Sequence, residues 1–309
     1  MIFCRRWHKR KNSIYQRFYR ETNNDIANSI LVAGSARSGT TWLAEVLAKV
    51  LHARIMFEPF YNRQVSVWQK YPDILYKENT KRDDGLYADV EALLTGSVRN
   101  AWVDSDLNVF RSRYRVVKEV RANLFLHWIV HWFPHLPVIF IIRHPCAVVA
   151  SRLSKGWPAE KDLRGFAEQE SLVRDVLGGD RSILEEQGSE IEKNALIWSI
   201  TNFVPLQKCN ENQLKIVFYE NLVRNPEHEL SRIFSNLPTT LSCNSDVDLR
   251  MPSLTSNRSR GSLRNDNFLR DWQTRFSETE IDQILNVCER FGLTRYYSKK
   301  PEPEAEFAN

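Results

Sequence analysis

The sequence predicts an α/β fold, a P-loop-like parallel β-sheet with helices on both faces. Three observations carry that expectation. Apolar segments of strand length alternate with helical ones along the 309 residues, as in chains built from βαβ units. The strand segments are continuously apolar, which is how strands read when both faces of a parallel sheet are covered. Between the first strand and its helix stands "GSARSGTT" (34–41), with Gly34 and Gly39 at Walker A spacing.

Taken in order, Ile30–Ala33 reads as the first buried strand and Thr41–Val50 as the helix behind the turn. Arg54–Phe57 is a short strand ending at Glu58-Pro59. Residues 61–113 are polar, aromatic and weakly periodic, which suits helices and loops covering a pocket. Tyr114–Lys118 is the next strand, and Leu124–Phe133 a helix stopped by Pro134. "VIFII" (138–142) is the clearest buried strand, with Arg143 at its end and a helix from about Pro145. Ile191–Val204 is helical, Leu214–Tyr219 a strand, and helices follow Pro226 and cover about Glu278–Phe291. Gly34–Thr41, Glu58, Lys118, Arg143 and Tyr219 all fall at carboxyl ends of strands. Parallel sheets bind ligands there, so one shared site is expected.

No internal repeat or linker divides the chain, which predicts a basic N-terminal arm (1–26), one domain (27–297) and a disordered tail (298–309) ending in "KKPEPEAEFAN". The net charge of +5 is concentrated in the arm: residues 1–20 hold seven cations and no acid. The rest of the chain is close to neutral, so no basic body for nucleic acid is expected. The arm suits a solvated terminus, or weak contact with an anionic membrane surface. Five scattered cysteines without a CxxC pair argue against a disulfide framework or zinc knuckle. No apolar run approaches the roughly 20 residues of a spanning helix, and the N-terminus lacks a signal-peptide core. The expected location is cytoplasmic.

A glycine turn feeding a helix aims backbone N–H groups, and the positive end of the helix, at an anion. In a nucleotide triphosphatase the lysine after the second glycine reaches the β- and γ-phosphates. Here Thr40 takes that place, and the only cation in the loop is Arg37. A triphosphate would be poorly neutralised. A donor with one 5′-phosphate and a terminal sulfonyl adds less charge and has no obligatory metal.

Four segments carry a family resemblance. "GSARSGTTWL" resembles the phosphosulfate-binding loop of the PAPS-dependent sulfotransferases (PAPS is 3′-phosphoadenosine 5′-phosphosulfate). "VIFIIRHPCAVVASRL" is similar to their 3′-phosphate segment, an arginine at a strand end and a serine eight residues later, Arg143 and Ser151. "VFYENL" (217–222), which contains Tyr219, resembles a third strand-end motif. "RSRGSLRNDNFLRDWQTRFSETE" (258–280) resembles the C-terminal segment that closes over the 3′-phosphate. The resemblance implies that Arg37, Ser38, Gly39, Thr40, Thr41 and Trp42 bind the 5′-phosphosulfate and flank the adenine side. It implies that Arg143 and Ser151 hold the 3′-phosphate with Arg260 and Gly261, although Arg258 is equally placed. Tyr219 joins the cofactor-binding set through its motif. Arginine rather than lysine at position 37 resembles the carbohydrate and tyrosyl-protein branches.

The reaction this implies is transfer of a sulfuryl group from PAPS to a hydroxyl, with adenosine 3′,5′-bisphosphate as product and no metal required. The acceptor implied is a glycan or a hydroxylated lipid. Transfer needs a base beside the attacking oxygen. Glu58 in "FEPFY" stands where the carbohydrate-type branch carries a similar Glu-Pro. Framed by Phe57, Pro59 and Phe60, it is expected to have a raised pKa, as suits a base. Lys118 faces the expected site, either to contact the sulfonyl or order the acceptor, or as a surface lysine pairing with a nearby acid. His127, His131 and His135 recur every fourth residue, but Pro134 intervenes and no carboxylate completes a metal set. Packing among Trp128, Trp132 and Phe133 accounts for them better. His144 stands where much of the family has aspartate and reads as structural. Trp198 and Asn202, one helical turn apart, suit either an acceptor-facing helix or core packing. The rival readings are a P-loop kinase using ATP, disfavoured by Arg143 where a Mg²⁺-binding acid belongs, and a silent adenosine-bisphosphate-binding protein.

Overall fold

Five strands form the central sheet: β1 (Ser29–Gly34), β2 (Arg54–Phe57), β3 (Arg115–Glu119), β4 (Val138–Ile142) and β5 (Lys215–Phe218). In the computed structural model, which describes residues 14–185, 188–235, 237 and 269–305, their order is β2-β3-β1-β4-β5, all parallel. β1 is central. The chain moves from it to one edge through β2 and β3, then crosses to β4 and β5, so the topological switch point lies at the end of β1.

Alternate residues of each strand enter different cores, which explains the unbroken apolar runs. Ile30 and Val32 pack with α1 (Thr40–Leu51) and with α10 (Pro226–Ser235). Leu31 and Ala33 face the larger core, which includes α3 (Leu126–Trp132), α4 (Pro145–Leu153) and α8 (Glu190–Lys208). Burying both faces of such strands is the main driving force for the layered arrangement. Within residues 61–113 a 3₁₀ turn, Ser66–Trp68, and α2 (Asp84–Leu94) pack against the larger core. Asp83 starts α2 by accepting a hydrogen bond from the Leu86 N–H at 2.9 Å.

The strands match their expected bounds to within about one residue, but three regions differ from the sequence reading. Tyr219 does not end a strand; it opens a short helix, α9 (Tyr219–Arg224). Helices α5 (Ala159–Ala167), α6 (Glu170–Leu177) and α7 (Ser182–Glu185) had no expected counterpart. Their buried faces are narrow (Ala159, Leu163 and Phe166 in α5) and set among charges. The tail assigned to disorder is pinned as far as Ala305, after α11 (Glu278–Glu289). Tyr297 bridges Pro303, the Glu304 N–H donates to the Tyr296 carbonyl at 2.9 Å, and Arg224 pairs with Glu302.

At the N-terminal end of the sheet a two-residue parallel ribbon joins Arg20–Glu21 to Arg111–Ser112. Beneath it two arginines are fully buried, each wrapped by acceptors. Arg54 meets Asp104 at 2.8 Å, Glu21 at 3.1 Å and the Gly96 and Val98 carbonyls at 2.8 and 3.0 Å. Arg115 meets Glu21 at 3.2 Å, the Ser29 hydroxyl at 2.9 Å and the Asn23 and Asp25 carbonyls.

Candidate active site

The loop after β1 is shaped by two residues in the left-handed region, Arg37 at φ 77° and Gly39 at φ 98°. Gly39 cannot carry a side chain: a Cβ there would stand 2.4 Å from Cδ2 of Tyr219. Gly34 is equally constrained, since its Cβ would fall 2.4 Å from the Ile141 carbonyl of β4. Helix α1 begins at Thr40 with no side chain capping its N-terminus, which leaves the first-turn amides directed at the loop. Ser35 anchors the start of the loop, sharing a 2.8 Å hydrogen bond with the Thr201 hydroxyl and accepting one from Asn202 Nδ2 at 2.9 Å. The Ser38 hydroxyl is buried without a hydrogen-bond partner among the described residues. Thr40 is buried and Thr41 half-buried, while Trp42 packs into the core on the α1 side.

Three residues expected to hold phosphate converge beside this loop. Arg37 Nε donates to the Ser151 hydroxyl at 2.9 Å, and Arg143 Nη1 donates to the Arg37 carbonyl at 3.1 Å. The Arg143 guanidinium lies 4.4 Å from the centre of the Tyr219 ring, so Tyr219 supports both Gly39 and Arg143. Burial and the charge of Arg143 both push the Arg37 pKa down, and among the described residues no carboxylate pairs with Arg37. Two adjacent guanidiniums, a serine hydroxyl and an uncapped helix end fit a multiply charged anion. PAPS satisfies that requirement. Arg260, Gly261 and Arg258 lie outside the described residues.

A second cluster sits at the ends of β2 and β3. Lys118 is buried, not a surface lysine, and pairs with Glu58, whose other oxygen pairs with Arg121. Arg121 continues to Asp73 at 2.9 Å. Here the sequence expectation needs correction. Burial pushes the Glu58 carboxyl up, but Lys118 and Arg121 outweigh it and hold the group below the usual carboxylate range. The apolar frame of Phe57, Pro59 and Phe60 was legible; the second cation was not. Glu58 also adopts φ 42° at the turn. Its carbonyl accepts the Trp102 indole N–H at 3.1 Å, which ties the 100–107 turn to this strand end. Asp106, from that turn, interacts with both Lys118 and Glu58. Burial pushes its carboxyl up, and no hydrogen bond joins it to another described residue.

His144 proves to be the N-cap of α4: its Nδ1 accepts the Cys146 N–H at 3.2 Å. Nδ1 is therefore the bare nitrogen, and Nε2 carries the hydrogen that reaches the Ser298 carbonyl at 3.0 Å. The ring stacks on Trp272, and burial lowers its pKa to about 4. A neutral imidazole thus fills the capping role open to an aspartate. His127 is buried in α3. Trp198 donates to the Arg143 carbonyl at 3.0 Å, so with Asn202 it scaffolds the two phosphate segments. Sequence reasoning missed Arg121, Asp106, Thr201 and Trp157. Trp157 is exposed with its ring 5.9 Å from the Arg37 guanidinium. The "KEVR" run offered a signal for Arg121, three residues after Lys118.

Residues 29–241, more than two thirds of the chain, match the sequence model of the sulfotransferase family. No curated protein sequence matches the chain. Among solved structures, it is similar to the sulfotransferase domain of the Synechococcus PCC 7002 olefin synthase (17% identity, 85% of this chain and 94% of that one, TM-score 0.42). It is also similar to the sulfotransferase domain from the curacin biosynthetic pathway (15%, 84% and 96%, 0.47). A third likeness is to a sulfotransferase from Alicyclobacillus acidocaldarius (13%, 85% and 95%, 0.36). The chain belongs to the sulfotransferase family and is, with it, a PAPS-dependent transferase.

Proposed function

We propose that this sulfotransferase moves the sulfuryl group of PAPS to a hydroxyl of a carbohydrate or hydroxylated lipid, with Arg37, Arg143 and Ser151 as the donor-binding core. The observation that carries the reading is their convergence: Arg37 bonded to Ser151 and adjoining Arg143, with no acid on Arg37 among the described residues. In the transfer the acceptor oxygen bonds to sulfur as the bond from sulfur to the bridging oxygen breaks. The electron pair stays on the phosphate of the departing adenosine 3′,5′-bisphosphate. Arg37 and the amides at the start of α1 stabilise that developing charge. Arg143 and Ser151 hold the remote phosphate, helped by Arg260 and Gly261 in the reading from sequence.

The acceptor side belongs to Lys118, oriented toward the sulfonyl by its bond to Glu58. Glu58 is ionised and bridged by two cations, which makes it a firm anchor and a weak proton acceptor. Asp106, whose carboxyl is pushed up by burial beside Lys118 and Glu58, is the alternative proton acceptor. It takes the hydroxyl proton in this reading. The "FEP" segment and Arg37 support a carbohydrate-type acceptor.

Calorimetric titration with adenosine 3′,5′-bisphosphate and with ATP, each with and without Mg²⁺, tests the donor site. Tight binding of the bisphosphate without metal is expected; binding of ATP alone, dependent on Mg²⁺, would turn the reading to the kinase. Transfer from labelled PAPS to a panel of glycans and lipids then separates an active enzyme from a silent binder.

A further inference from the structure

We infer that the N-terminal end of the sheet is a docking surface for an anionic membrane. Among the described residues the exposed large hydrophobic side chains are Ile14, Phe18, Phe110 and Trp157. Three of the four belong to one patch. Residues 14–18 are helical, so Ile14 and Phe18, 52% and 61% exposed, lie one turn apart on the same face. Tyr15 packs its ring 4.5 Å from that of Phe110, itself 52% exposed. The Arg20 N–H donates to the Phe110 carbonyl at 2.9 Å, and Arg20 pairs with Arg111 in the ribbon. The apolar side chains of two distant segments are thereby fastened together, facing water.

The two segments that carry them have charge of one sign. Arg17, Arg20, Arg111 and Arg113 are all exposed, and residues 14–20 and 108–114 contain no acid. The nearest carboxylate in sequence, Glu21, is turned inward onto Arg54 and Arg115. Apolar side chains ringed by arginines match a lipid interface, where phenyl rings enter the acyl boundary and guanidiniums meet anionic headgroups. A nucleic acid would use the cations and leave two phenylalanines and an isoleucine in water.

The orientation has a functional meaning. Ser112 Oγ bonds the His52 carbonyl at 2.8 Å, which places the patch by the C-terminal end of α1. That helix begins at the anion loop and spans 12 residues, about 18 Å. A docked molecule holds its active site away from the bilayer, which favours a carbohydrate acceptor over a membrane-resident lipid. This inference stands whether or not the proposed acceptor and base are right.

The test is co-sedimentation of the full chain with phosphatidylcholine vesicles, with and without phosphatidylserine. Binding is expected to be at least roughly tenfold tighter with phosphatidylserine and to weaken with salt. Arg17→Gln with Arg111→Gln should reduce the preference for phosphatidylserine several-fold. Ile14→Ser with Phe18→Ser, which spares the Tyr15–Phe110 contact, should weaken binding several-fold with the thermal midpoint unchanged. Phe18→Trp keeps an aromatic ring and should acquire fluorescence quenching by vesicles with brominated acyl chains. Binding unaffected by the Ile14 and Phe18 changes, binding indifferent to phosphatidylserine, or an unquenched Phe18→Trp would each overturn the inference. So would equally tight binding to heparin or DNA lost in the same variants.

Discussion

The two ends of the sheet use arginine in opposite ways. At the N-terminal end Arg54 and Arg115 are completely buried, and Asp104, Glu21 and a ring of carbonyls surround their guanidiniums. At the C-terminal end Arg37 adjoins Arg143, and the two repel across the loop. The first pair has its anions inside the protein. The second, in the function proposed above, takes its anions from the donor. Residue type is therefore a poor guide to role here; the carboxylates around Arg54 and Arg115, and their absence from Arg37 among the described residues, separate the two ends.

That contrast gives the largest expected effects. Arg54→Ala or Arg115→Ala removes one cation from a buried network in which Glu21 and Asp104 keep only their second arginine, and should cost about 3–5 kcal/mol in urea unfolding. Arg37→Ala and Arg143→Ala should lower sulfuryl transfer by about two to three orders of magnitude with a far smaller change in unfolding. The reverse pattern, stability lost at the loop and activity lost at the ribbon, would break the comparison.

Gly39→Ala comes next. It combines an unfavourable φ with a close approach to Tyr219, and should cost about 1–3 kcal/mol of stability together with much of the donor affinity seen by calorimetry. The paired carboxyls sharpen the acceptor side. Asp106→Asn should reduce kcat with little change in the donor KM and remove the acidic limb of the pH–rate profile. That limb is expected above the ordinary aspartate range, since burial raises the Asp106 pKa. Glu58→Gln should instead raise the acceptor KM and disturb Lys118. If Glu58→Gln alone erases the acidic limb, the base is Glu58.

The last effect is confined to acid: a pH dependence of stability from His144 and His127, each lowered by burial to about 4. The unfolded chain protonates near the ordinary value of 6.5. Below it the unfolded state binds more protons, so stability is fully present above pH 6.5 and declines as pH falls toward 4. Each histidine contributes up to roughly 3 kcal/mol. Glu220, whose pKa is raised by burial, acts in the opposite direction. His144→Asn keeps a neutral cap and should flatten the slope between pH 4 and 6.5 in urea titrations.

Much of this was legible in the sequence because it rests on local chemistry. Continuous apolar runs located the strands, and Gly34 and Gly39 located the loop. The end of "VIFII" located Arg143. What escaped depends on long-range contacts. Arg121 and Asp106 acquire their meaning only when the 100–107 turn is laid against Glu58 through Trp102. α5 to α7 were missed because narrow apolar stripes among charges resemble loops until a larger core covers them. His144 was read as structural, but its tautomer and its partner Ser298 come from opposite ends of the domain. The tail escaped similarly: "PEPE" has the composition of a disordered segment, and it is held to Ala305 by a bridge and an ion pair.

The anchoring of Ser35 by Thr201 and Asn202 carries a thermodynamic consequence. Those two side chains, from the middle of the long helix α8, fix the entrance to the loop without any help from a nucleotide. The donor therefore meets a loop whose conformational entropy was lost when the protein folded, not when the ligand binds. Adenosine 3′,5′-bisphosphate binding should then carry a small ordering entropy. Replacing Asn202 with alanine removes its anchor on Ser35 and should make the binding entropy less favourable in calorimetry.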